Sequence, residues 1–555
     1  MGGGGGPASS RRVPAPLGVA LQASRRGWIA VALCALGVAS SAAPERAGGQ
    51  PPLAECRELD AQMCVAQSPP PDEVGRGVAS GALALVPWAT STPLAPRKAA
   101  WERAVGGGEE ARRRIRARLA GWPTTLLADR AALPADDRAF LLRVAYDTWL
   151  GLSAFRDRVH GLPVDHVRFH GSVDPETAEV GDYASISSVG LYLAAIVGAH
   201  ELGFIGHEEA QERVRQILDT LQRLETWRGI FFNFYDTTTL ERTSQLLSFV
   251  DSAWLTAGLM VVRSTFPDLR EAAAELITQR NYGFFYDRST QQMSHGYFVD
   301  DRVPAPYHYT TFYTEARLGS LIAIGKGDVP VEHWYRMART FPPDDSRQWQ
   351  PPIGRRKKTV RGIEFEGGWY EWRGVRYVPS WGGSMFEAMM PTLVVDERRL
   401  APRSLGRNGE AHVEIQRRVA LEELGLPVWG MSPAASPTPN GYGEYGVRVL
   451  GVSGYPQTVV TPHAAALALE FDPQAATANL RRLVEIYPIY GEYGFYDSVD
   501  PRSGQVGEVY LALDQSMLFL ALVNHLSDGV IQERFAADPI AARALTILRD
   551  EDFFD

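Results

Sequence analysis

From residue 186 onward the chain alternates between two kinds of segment. Six stretches are almost wholly apolar, at 186–203, 251–264, 315–325, 383–395, 462–470 and 511–526. Each is followed by an amphipathic one, at 208–224, 268–280, 331–340, 410–425, 473–486 and 537–549. In the first amphipathic stretch Ala210, Val214, Ile217, Leu218, Leu221 and Leu224 recur at helical spacing, and Glu, Arg and Gln occupy the other face. The run 253–262 has no polar face and must be enclosed by protein. Six enclosed helices ringed by six half-enclosed ones predict an all-α fold, an (α/α)6 barrel. Its longer loops lead into the enclosed helices and form one rim. There 231–236, 282–287 and 493–497 each repeat an aromatic run ending in Asp, which predicts short strands.

Upstream, Phe140, Leu141, Val144, Ala145, Trp149 and Leu150 mark a helix within 136–156, read as part of an N-terminal helical extension over 81–160. The barrel then occupies 161–555. Residues 44–80 are rich in Pro, Ala and Gly and read as a linker. Residues 1–43 read as an export signal: Arg25 and Arg26 precede an apolar run from Trp28 to Val38, and Ser40, Ser41, Ala42 and Ala43 offer small residues for cleavage. The pattern loosely resembles a twin-arginine signal. Cys34, with Leu33 before it, argues against a lipid anchor. Cys56 and Cys64 are then the cysteines of the mature chain, either bridged in a small loop or free.

Composition narrows the function. A hydrophobic content of 45% with 13 Trp supports a large core, and no later run reaches the length of a membrane span. Loss of the four leader Arg moves the net charge from -9 to -13, which disfavours nucleic acid and suits a neutral substrate. A monomer is expected. No phosphate-binding glycine loop, Gly-x-Ser-x-Gly elbow, zinc spacing or EF-hand occurs, and His463 and His308 lack ligand spacing with any partner. Neither a metal nor a cofactor is expected.

Residues near the starts of the enclosed helices converge at the rim although they lie far apart in the chain. Asp182, Ser185 and Ser188 mark the first start, Asp251 and Ser252 the second, Glu315 and Arg317 the third. Ser384 and Glu387 mark the fourth, His463 the fifth, Asp514 and Gln515 the sixth. Glycoside cleavage needs one protonated carboxyl and a second carboxylate, and the rim offers both. Glu315 is the candidate acid and Asp251 its candidate partner. The competing readings are that Glu315 and Arg317 cap a helix and that Asp251 is an N-cap. Glu387 is either functional or neutralised by Arg317. Tyr309 and Tyr313 lie in an aromatic loop before Glu315. Trp381 sits beside two glycines. Trp429 and Tyr442 are candidate sugar-stacking rings, and Glu444 is a further carboxylate on the same long loop.

These motifs together resemble the glucoamylase-like family of (α/α)6 proteins, which includes bacterial endo-β-1,2-glucanases and the transglycosylation domain of cyclic β-1,2-glucan synthases. The resemblance runs from about Gly161 to the C-terminus. It is carried by 188–193, 250–255, 315–327, 380–387, 429–432 and 493–497, and by the stretch from Asp528 to Phe535. It implies that Glu315 stands where the family has its acid and that Asp251 stands at a matching acidic position. In the synthases a Trp-Gly-Ile-Ser motif precedes a Glu that looks like a nucleophile, whereas Ser432 here is followed by Pro433. The resemblance therefore implies an inverting hydrolase of β-glucan, with β-1,2 linkage first, and the leader adds export to periplasm or medium. A transglycosylase, a lyase of acidic sugars and a non-catalytic glucan-binding protein are the alternatives.

Overall fold

The computed structural model describes residues 1–2, 108–438 and 441–555. The export signal, the linker, Cys56 and Cys64 lie outside the described residues, apart from the first two. After a short helix α1 (Gly108–Arg118), the principal helices are α2 (Asp137–Ala154), α3 (Ile186–Glu201), α4 (His207–Leu221), α5 (Phe249–Thr265), α6 (Arg270–Thr278), α7 (Ala316–Lys326) and α8 (Glu332–Arg336). The second half holds α9 (Met385–Met389), α10 (Glu397–Leu400), α11 (Leu405–Arg418), α12 (Pro462–Leu467), α13 (Pro473–Ile486), α14 (Ala512–Leu526), α15 (Val530–Ala536) and α16 (Pro539–Ala544).

The wholly apolar segments form the inner set. Packing contacts join α3 to α5, α5 to α7, α9 to α12, α12 to α14, and α14 back to α3. Between α7 and α9 the link is the Arg317 guanidinium, which donates to the backbone carbonyls of Glu387 and Ala388 at 3.2 and 2.6 Å. The α3–α5 crossing is the tightest of these. A Cβ on Gly190 would lie 2.3 Å from the Trp254 carbonyl oxygen, and one on Gly258 would lie 2.0 Å from that of Gly190. Only glycine lets the two backbones approach so closely.

Outside the inner set, α4 packs on α3, α6 on α5, α8 on α7, α11 on α9 and α13 on α12. One amphipathic and one apolar segment are shorter than their pattern predicts. α8 ends at Arg336, and Pro391 turns the chain after α9 into a 3-10 turn, Met390–Leu393. The helix expected over 537–549 as the sixth outer member is a correction. The segment is helical, with Pro539 opening α16 and a 3-10 turn, Leu545–Asp550, following it, but α16 lies against α7 while α15 lies against α5. Buried Asp538 accepts from Arg263 at 2.7 Å, Arg543 donates to the Gly325 carbonyl at 2.8 Å, and Arg534 pairs with Glu201 at 2.7 Å. This segment therefore covers the C-terminal ends of α3, α5 and α7. The helix packed outside α14 is α2, from the N-terminal part of the chain.

Strands are short and cluster before the inner helices, as the aromatic runs predicted. Tyr183–Ser185 pairs with Phe234–Asp236, and His166–Arg168 pairs with Val509–Leu511. Leu246–Ser248 pairs with Gly296–Phe298. They anchor the entry to α3, α5 and α14, so helices dominate but the fold is not purely helical. Among the described residues, no helix is long and apolar enough to cross a membrane.

Candidate active site

A rim of hydroxyl caps sets the geometry. Ser185, Ser248, Ser384 and Thr461 each accept a backbone N–H at the start of α3, α5, α9 and α12. Because Ser248 caps α5, Asp251 is released from the capping role that the sequence allowed. It lies in the first turn, 4% exposed, with Oδ2 lacking any hydrogen-bond partner among the described residues. Burial pushes its carboxyl up, against the stabilising hydroxyls of Ser187 and Ser248.

α7 breaks the pattern. Glu315 occupies the cap position yet makes no side-chain cap bond, so the capping reading fails there as well. Its carboxyl is 4% exposed and its Oε2 has no hydrogen-bond partner among the described residues. Burial, then the charge of Glu387, and more weakly that of Asp251, push its pKa up to about 8, while Arg317 acts in the opposite direction. A carboxyl so placed keeps its proton at neutral pH and can give it away.

Glu387 is a contrasting case. Its Oε2 accepts from the Ser380 and Ser384 hydroxyls, both at 3.0 Å, and from the Gly382 and Ser384 amides at 3.0 and 3.2 Å. Its Oε1 accepts from Gly382 at 3.1 Å and from the Tyr455 hydroxyl at 3.3 Å. The expected pairing of Glu387 with Arg317 is a correction: Arg317 forks onto Glu397 at 2.7 and 2.9 Å. Its remaining N–H groups go to the carbonyls of Thr314, Glu387 and Ala388, and the side chain is fully buried. No donor is left for a ligand, so Arg317 is a strut between α7 and the start of α10 rather than a substrate contact.

The aromatic candidates separate in the same way. Tyr313 is fully buried, with its ring beneath the Arg317 guanidinium at 4.4 Å and against His412 at 4.8 Å. Tyr309 is packed on His295 at 4.0 Å and on Phe249 at 5.9 Å. Trp429 is a second correction. The ring expected to stack on sugar belongs to the core, and its backbone is clamped by Asn479 at 3.1 and 2.8 Å. Trp381 forms a small satellite cluster with Phe341 and Val452, next to Tyr455. Tyr442 and Glu444 remain partly exposed on the long loop. The field of Asp514, Asp497 and Glu444 adds to burial in pushing the Tyr442 hydroxyl up.

Asp514, expected to contact substrate, lies beside two residues that spacing did not bring together. These are His463, whose Nδ1 is 3.4 Å from Asp514 Oδ2, and Asp497, which ends the third aromatic run. Burial lowers His463 to about 3 and raises both acids, each acting on the other. Asp165, also unselected by the sequence reading, adds its field to Asp514 and accepts from His166 at 2.9 Å. Glu397, Ser187, Tyr455 and Asp165 escaped because the rim residues they act on, Arg317, Asp251, Glu387 and Asp514, lie far from them in the chain with no periodic relation. Only the aromatic run ending in Asp497 gave any signal. Glu315, Asp251, Asp497 and Asp514 are all buried among the described residues. A cavity of about 320 Å³ lies at the opposite ends of the helices, lined by Thr392, Glu470, Asn524 and Gln532 among others.

Residues 307–539 match the family model described as "Putative glucoamylase", and residues 169–323 match one described as a protein of unknown function, DUF3131. Over 316 residues the chain is 31% identical to the cyclic beta-(1,2)-glucan synthase NdvB of Rhizobium meliloti (strain 1021). That match covers 54% of this chain and 10% of the synthase, so the chain spans about a tenth of its curated relative. Among solved structures, the endo-beta-1,2-glucanase of Chitinophaga pinensis superposes with a TM-score of 0.56 at 16% identity, covering 75% of this chain and 99% of the other. The beta-1,2-glucanase of Parabacteroides distasonis gives 0.59 at 16% identity, covering 75% and 60%. At such identities these two likenesses speak for the fold. The resemblance to the glucoamylase-like family holds.

Proposed function

For a chain that resembles the glucoamylase-like family in its matched region, we propose an (α/α)6-barrel glycoside hydrolase acting on β-glucan, first of all a β-1,2-linked one. The observation that carries this reading is Glu315: a buried carboxyl with an oxygen that no donor reaches among the described residues, raised to about 8 by burial and by the charges of Glu387 and Asp251. Glu315 protonates the glycosidic oxygen as the leaving sugar departs, and Asp251 draws a proton from the attacking water. The activities for which the synthase and the two glucanases are named support a β-1,2-glucan substrate. Pro433, standing where the synthases resemble one another in having a Glu, supports inversion over a covalent route. We further assign the barrel to residues 161–555 together with α2 of the N-terminal extension, which packs outside α14, and residues 1–43 to export, which would put the enzyme outside the cytoplasm.

The test is incubation of the purified chain and its Glu315→Gln variant with linear and cyclic β-1,2-glucan and a panel of other α- and β-glucans, with products followed by chromatography and NMR. Short oligosaccharides of inverted anomer from the wild type alone support the proposal. Products of retained configuration would replace it with transglycosylation or retention. No product from any glucan would replace it with a binding role.

A further inference from the structure

Outside the Glu315 corner, the most unusual cluster on the rim joins three inner-helix entries. His463 is the second residue of α12, Asp497 follows the strand Gly494–Phe495, and Asp514 lies in the first turn of α14. Their exposures are 2%, 1% and 1%, and one ligand atom from each lies within 4.8 Å of the others. One oxygen of Asp497 accepts from the Ala435 amide at 2.6 Å. Its other oxygen, both oxygens of Asp514 and Nδ1 of His463 have no hydrogen-bond partner among the described residues. Nε2 of His463 faces the Thr461 hydroxyl at 3.4 Å. A hydrogen on Nε2 directed there leaves the Nδ1 lone pair aimed at Asp514. Several lone pairs thus converge in a buried space among the described residues, where the Asp497 and Asp514 carboxyls also lie within hydrogen-bond reach of each other. Such an arrangement is costly unless a positive species sits at its centre. Arg168 acts on Asp497 from a distance, while Asp165 adds negative field at Asp514.

We propose that His463 Nδ1, Asp497 and Asp514 bind one divalent transition cation of the zinc or manganese class. One imidazole with two carboxylates is a donor set these ions accept, and it is less suited to a purely oxygen-seeking ion. Ligands about 2.1 Å from a shared ion cannot stand more than about 4.2 Å apart, so binding draws the cluster slightly together. Rotation of the Asp514 carboxylate, whose recorded hydrogen-bond partner is the Asp497 carboxyl of the same cluster, supplies that movement. The site is independent of the glycosidase reading because its readout is binding alone.

The test strips the full chain with a chelator, then titrates Zn²⁺ and Mn²⁺ separately by calorimetry and metal analysis, with Mn²⁺ also followed by electron paramagnetic resonance. The wild type is expected to bind one ion per chain, and Asp514→Asn and His463→Gln are each expected to weaken binding at least tenfold. Circular dichroism of the metal-free variants establishes that they are folded. Failure of the wild type to bind either ion stoichiometrically would overturn the proposal, as would equal binding by both folded variants. So would an infrared band of a protonated carboxyl that disappears in Asp514→Asn but is unmoved by either metal, since a shared proton would then be the positive species.

Discussion

Glu315 and Glu387 are the same residue type, both buried, at the starts of neighbouring inner helices, and they differ in one respect. Every direction around Glu387 supplies a donor: the Ser380, Ser384 and Tyr455 hydroxyls and the Gly382 and Ser384 amides. Around Glu315 one oxygen meets none among the described residues, and the Glu387 and Asp251 carboxylates outweigh the opposing charge of Arg317. Burial alone therefore does not decide what a buried carboxyl can do. Donor supply does, and here it separates a structural cap from a candidate acid within a single turn of sequence pattern.

The largest expected effect breaks the comparison at its reactive side. Glu315→Gln preserves shape and removes the transferable proton, so kcat on β-1,2-glucan should fall by about 10²- to 10⁴-fold with no loss of melting temperature. Steady-state kinetics beside a thermal melt checks it. Next comes the strut between the two corners. Arg317→Met strands the buried Glu397 carboxylate and should destabilise the fold by about 3–5 kcal/mol, measured by denaturant unfolding. Glu387→Gln converts a pure acceptor into a group carrying two N–H donors that meet other donors, and should cost about 1–3 kcal/mol in the same assay. If it instead left stability intact and abolished catalysis, the roles of the two glutamates would have to be exchanged.

A smaller effect sharpens the comparison through pH. The folded-state pKa of Glu315, about 8, lies above its ordinary value of 4.5. Between these values the folded chain holds a proton that the unfolded chain has lost. Its contribution to stability is thus fully present below about pH 4.5, declines as pH rises, and is gone above about pH 8. Glu315→Gln removes this dependence. The variant should gain on the wild type from pH 5 to pH 9 in paired melts, and a constant difference across that range would contradict the assignment.

Much of the inner helical set was legible in the sequence because a helix without a polar face leaves no choice but enclosure. The convergence of Glu315 and Asp251 followed from their places at helix starts. Other features were hidden for physical reasons. The Arg317–Glu397 pair spans 80 positions, so no local spacing records it. Whether Ser248 or Asp251 caps α5 depends on where the helix begins, which apolar periodicity defines only to within a turn. Trp429 has the composition of a platform, and only its surroundings reveal a core ring. α2 took the place expected for 537–549 because amphipathicity specifies a half-buried face without naming the helix it meets.

The most direct test of the central claim is the protonation of Glu315 itself, read as the carbonyl stretch of a protonated carboxyl in infrared difference spectra of wild type minus Glu315→Gln, titrated across neutral pH. The account predicts a band present at pH 6 that disappears with a midpoint near 8. A difference band absent at pH 6, or one lost with a midpoint near the ordinary 4.5, would contradict it.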